Sequence, residues 1–122
     1  MTAANWGGTA PVAGNMLEFK GTTKKVSVND FPVGTSFGGI LFPQGNFSGG
    51  YQFSGNAITL TGDIVNMGGY GHNVPQSGPT MNFPITLVGD RQVNTGEWDM
   101  TISGVISGGG SLTKTHGRDY IN

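Results

Sequence analysis

Seven residues of this chain recur. Ala57–Asp63 reads AITLTGD and Pro84–Asp90 reads PITLVGD, identical at five of seven positions and 27 residues apart. A third, weaker copy is read at Met100–Ile106, MTISGVI. There Ile102 takes the place of Leu60 and Leu87, and Gly104 that of Gly62 and Gly89. A repeat of this length, built only from short strands and turns, marks a solenoid. One such unit cannot bury its own inner face, but stacked units share a continuous narrow core.

The rest of the chain keeps the same habit. No window holds a 3.6-residue apolar period, whereas alternation with period two is common. Leu17 and Phe19 alternate with Glu18 and Lys20, and Val26 and Val28 share one face. Phe37, Ile40 and Phe42 flank a glycine pair that reads as a bulge or tight corner. Tyr51, Phe53, Ile58, Leu60 and Ile64 follow, then Met81, Phe83, Ile85 and Leu87, then Trp98, Met100, Ile102 and Ile106. These patterns predict about eight to ten short strands.

Glycine explains how such strands turn. It supplies 23 of 122 residues, while only 35% of the chain is hydrophobic. A coil of short strands needs special dihedrals or close backbone approach at each corner, and Gly provides both. The expected corners are Gly62, Gly89 and the run Gly108, Gly109 and Gly110. Replacing Gly109 with valine is expected to disturb the turn and expose the last rung. The aspartates after Gly62 and Gly89 would cap their corners by accepting backbone hydrogen bonds.

The chain therefore reads as all-β: a parallel β-helix, or β-solenoid, of roughly four to six short rungs. Residues 1–122 form one domain, with 1–16 as an N-terminal cap and 66–79 as a protruding loop. A β-sandwich or a barrel stays open as a rival, since the third repeat is weak.

Charge narrows the function classes. Charged residues make up 11% of the chain and the formal net charge is -1. Nothing here would gather on nucleic acid or insert into a membrane. There is no cysteine, hence no disulfide and no thiolate metal site. The opening MTAANWGG lacks the apolar core of a secretion signal, and the preferred reading is that a signal has been removed.

Candidate chemistry is thin. On adjacent rungs Asp63 and Asp90 would stack about 4.8 Å apart, close enough to perturb a pKa or share a cation. The plainer reading is that both cap corners, with Arg91 neutralising Asp90. His72 and His116 lack partners at metal-ligand spacing, so no metal site is expected. The glycine run is not a phosphate loop, because no helix follows it. The loop 66–79 carries Tyr70 and His72, and with Asp63, Asp90 and Arg91 they make the candidate ligand-binding set. Trp6, Tyr51, Trp98 and Tyr120 are further candidates for stacking on sugars, although Trp98 reads more simply as core and Trp6 as an end cap.

The closing GVISGGGSLTKT, Gly104–Thr115, and the strands NAITLTGDI and FPITLVGDRQVNTG before it give the chain a family likeness. So do TAANWGG, Thr2–Gly8, and VNDFPVGTSFGGILF, Val28–Phe42. The chain resembles the autotransporter-associated β-strand repeat proteins, the passenger-type repeats of large bacterial surface proteins. The resemblance covers nearly the whole chain and is most specific over its last 40 residues. It implies a right-handed parallel β-helix displayed outside the cell. It supplies no catalytic residue and no cofactor. The chain departs from the family in lacking a translocator barrel, and in reading HGRDYIN where a further turn and strand would follow.

The expected function is accordingly structural: a β-solenoid module of a bacterial cell-surface or extracellular protein, with a variant in which it self-assembles head to tail into fibres through its exposed ends. The alternative is a carbohydrate-binding module or polysaccharide-acting enzyme with surface glycans as partners. That alternative needs Asp63, Asp90, Arg91 and the Tyr70 loop to line one groove.

Overall fold

A computed structural model describes residues 9–20, 25–43, 50–67, 78–96 and 99–117. The chain passes through three sheets in a fixed cycle. The first pass is β1 (Met16–Glu18), β2 (Val26–Asn29) and β3 (Thr35–Phe37). The second is β4 (Gly39–Phe42), β5 (Gln52–Gly55) and β6 (Ile58–Leu60). The third is β7 (Ile64–Asn66), β8 (Thr80–Asn82) and β9 (Ile85–Leu87). Then come β10 (Arg91–Gly96), β11 (Thr101–Ile102) and β12 (Ile106–Gly108), and β13 (Leu112–Gly117) returns to the first sheet.

One sheet runs β1-β4-β7-β10-β13, the second β2-β5-β8-β11 and the third β3-β6-β9-β12. Every pairing is parallel. The molecule is a parallel β-solenoid of several short rungs. Strands are more numerous than the sequence suggested, because each pass is cut into three by corners.

Parallel register stacks like residues over like, and this builds the core. On the first sheet Leu17, Ile40, Ile64 and Val93 stand in one inward column. On the second, Ser27, Phe53, Met81 and Ile102 do so. On the third, Ile58, Ile85 and Ile106 form one column and Phe37, Leu60 and Leu87 another. Apart from Ser27, Ile102 and Ile106, all of these are buried. Each fully buried aliphatic or phenyl group contributes about 1.5–3 kcal/mol over leaving it in water. An aromatic cluster fills the corner between the first two sheets. Tyr51 and Phe53 stack with ring centroids 5.6 Å apart, and Phe19 stacks on Phe42 at 5.7 Å.

Two expectations change. Val26 and Val28 do share a face, but it is the outer one, and they are 73% and 63% exposed. Ser27 between them takes the inward position. The third copy of the repeat is not MTISGVI. Ile102 pairs with Met81 on the second sheet, while Ile106 pairs with Ile85 and Gly108 with Leu87. The true third copy is thus Val105-Ile106-Ser107-Gly108. The last pass is shorter than the one before it, which shifts the alignment. Of the expected loop 66–79, Asn66 closes β7 and is buried, and residues 68–77 lie outside the described residues.

Candidate functional site

The candidate ionisable residues gather at the corners leading from the third sheet to the first. Between β6 and β7 the chain turns at Thr61-Gly62-Asp63, and between β9 and β10 at Val88-Gly89-Asp90. The seven-residue repeat puts Asp63 and Asp90 in equivalent places, but the register does not. Ile64 pairs with Val93, so Asp63 lies level with Gln92. The pass between them is two residues longer at this sheet than at the third. A stacked carboxylate pair is therefore not formed at matching register.

Each carboxylate is instead engaged by the next rung. Asp63 Oδ1 accepts the Gln92 backbone N–H at 2.9 Å, across 29 residues. Asp90 Oδ1 accepts the Ser111 backbone N–H at 2.9 Å and the Ser111 hydroxyl at 3.0 Å, across 21 residues. The Ser111 backbone bond, then its hydroxyl bond, holds the Asp90 carboxyl below the ordinary carboxylate range, and the Arg91 charge adds less. Arg91 turns elsewhere, with its Nη1 donating to the Thr61 carbonyl at 2.6 Å. All three side chains thus tie one rung's corner to the backbone of its neighbour.

The glycines explain how close these rungs come. A Cβ on Gly110 would fall on the Gly89 carbonyl, and one on Gly62 on the Gly38 carbonyl. Only a residue without Cβ permits that approach. Gly108 also has φ of 113°, in the region that favours glycine. Gly109 differs from both neighbours: a Cβ there meets nothing within 4 Å. The demand within the run falls on its flanking glycines, because they face the previous rung while Gly109 faces outward.

Of the aromatic candidates, Tyr51 lies among the described residues. Tyr51 is 3% exposed and packs in the core, with Lys25 Nζ 5.3 Å from its ring centroid. Tyr70, His72, Trp6, Trp98 and Tyr120 lie outside the described residues. Among the described residues, no three His, Cys, Asp or Glu side chains are grouped to hold a metal ion.

Sequence reasoning missed two features. One is an asparagine ladder at the corner between the second and third sheets. Asn29 Nδ2 donates to the Asn56 carbonyl at 2.7 Å, and Asn56 Nδ2 donates to the Phe31 carbonyl at 2.8 Å. The pair stands 27 residues apart, and that spacing was the available signal. The other is a pair of apolar hollows among the described residues. Beside Ser27 lies a cavity of about 50 Å³ among Phe19, Phe31, Phe37 and Phe53. Val93, Met100, Ile102, Ile106, Leu112 and Lys114 surround a second hollow of about 380 Å³, rimmed also by Thr95 and Asp99.

No protein-family model, curated protein or solved structure matches this chain.

Proposed function

We propose that this chain is a structural module: a stiff stretch of right-handed parallel β-helix, four to six rungs long, belonging to a bacterial cell-surface or extracellular protein. It supplies length and resistance to proteolysis rather than chemistry. The observation that carries this reading is the use made of Asp63, Asp90 and Arg91. Each is bonded through one side-chain atom to a backbone partner one rung away, and these bonds serve the stack. The handedness and the surface location rest on the family resemblance of Gly104–Thr115 and the strands before it.

The test is paired. Limited proteolysis of the purified chain should spare residues 35–43, 50–66, 80–96 and 99–115 at protease concentrations that digest an unfolded control. The same preparation should show no saturable binding to a panel of soluble acidic and neutral polysaccharides. Saturable binding that is lost in Asp63→Asn or Asp90→Asn, with the fold retained, would overturn the structural reading in favour of a glycan-binding one.

A further inference from the structure

The apolar pattern of β2 runs inside out. Ser27 pairs with Phe53 in the inward column of the second sheet, so by alternation Lys25 and Asn29 share its face. Lys25 lies with its ammonium over the Tyr51 ring, and Ser27 beside the cavity that phenyl rings line. Val26 and Val28 keep to the outer face, largely exposed. A shift of β2 by one residue along β5 would exchange the two faces. Val28 would then stand over Phe53 and Val26 over Tyr51, and both would leave water.

The turn after β2 does not forbid that shift. From β2 to β3 the chain takes five residues, Asp30 to Gly34. From β5 to β6 it takes two, Asn56 and Ala57, and from β8 to β9 two, Phe83 and Pro84. A connection longer than its counterparts can give up one residue to the strand. Burial is what usually specifies a register, and on β2 burial favours the register that is not observed.

Asn29 supplies what the turn and the apolar pattern do not. Its Oδ1 accepts the Phe31 N–H at 3.2 Å, and its Nδ2 donates to the Asn56 carbonyl at 2.7 Å. Its own carbonyl accepts the Asn56 N–H at 3.0 Å. These three bonds tie the end of β2 to its own turn and to the next rung, with Asn29 level with Gly55. After the shift Asp30 would stand level with Gly55, and a carboxylate has no N–H to give the Asn56 carbonyl. We infer that β2 has two registers open to it, and that Asn29 locks the observed one against the strand's own apolar pattern.

The inference rests on the pairing of β2 with β5, and holds whether or not the module is purely structural. The test is nuclear Overhauser spectroscopy of the full chain with valine methyl labels, as the native protein and as Asn29→Ala, Asn29→Asp and Asn56→Ala. In the native chain the Val26 and Val28 methyls should make no contact with the Tyr51 and Phe53 rings. In Asn29→Ala, contacts of Val28 with Phe53 and of Val26 with Tyr51 should appear, the shifted population rising by about tenfold or more. Asn29→Asp keeps the shape and loses the donor to Asn56, so it should show the same contacts more weakly, even where Asn29→Ala fails to fold. Asn56→Ala leaves all three Asn29 bonds in place and should behave as the native chain does. Three results would each overturn the inference. One is that neither Asn29 variant gains ring contacts, whether β2 stays in place or detaches. Another is a native chain with contacts as strong as theirs. The third is Asn56→Ala shifting as far as Asn29→Asp.

Discussion

Asp90 and Ser111 are joined twice, the carboxylate accepting both the backbone N–H and the hydroxyl of the serine across one turn of the coil. The corner after β9 is thereby tied to the start of β13. Asp63 makes one such bond to Gln92. These contacts make ionised carboxylates part of how the rungs are held in register.

Acid should loosen the Asp90 contact. The folded-state pKa is lowered, chiefly by the Ser111 bonds. The stabilisation is therefore present above the ordinary carboxylate range and is lost as pH falls through the lower folded value. Asp90→Asn keeps an acceptor and removes the charge. It should lower the melting temperature by a few degrees at neutral pH and flatten the decline on the acid side. Thermal unfolding from neutral pH down to about pH 2 measures both effects. Parallel acid limbs in the two proteins would show that Asp90 is not so engaged.

The two glycines at the end of the run should part company. Gly109→Ala places its methyl in open space and should change stability by no more than about 0.5 kcal/mol. Gly110→Ala drives its methyl onto the Gly89 carbonyl and should cost about 1–3 kcal/mol, since one rung must move from the other. Urea denaturation of both variants ranks them, and equal midpoints would contradict the close approach.

Ser27 offers a gain. It holds an inward position beside Phe53 and next to a cavity lined by phenyl rings. Ser27→Val should fill part of that space and keep strand propensity, raising stability by about 0.5–2 kcal/mol. A lower urea midpoint would mean that the hydroxyl has a role the register does not disclose.

The stacked character of the fold was legible because Ile58-Thr59-Leu60 and Ile85-Thr86-Leu87 are near copies and lie side by side in parallel. The corners were legible from glycine followed by aspartate. What stayed hidden was the uneven length of the passes. The passes differ in length, and the spacing between partners varies from 21 to 29 residues. That variation concealed Val105–Gly108 as the third copy and falsely aligned Asp63 with Asp90. It also hid the place of Lys114, which pairs with Val93 of the inward column on the first sheet.

The central claim is that this chain is one parallel stack in which like residues lie over like. Isoleucine methyl groups report on it without any substitution. In the selectively methyl-labelled protein, nuclear Overhauser contacts should join Ile58 to Ile85, Ile85 to Ile106 and Ile40 to Ile64, each pair about 4.8 Å apart along the stack. Ile58 and Ile106, two rungs apart, should show none. Absence of the Ile58–Ile85 and Ile40–Ile64 contacts, with antiparallel backbone contacts in their place, would contradict the account.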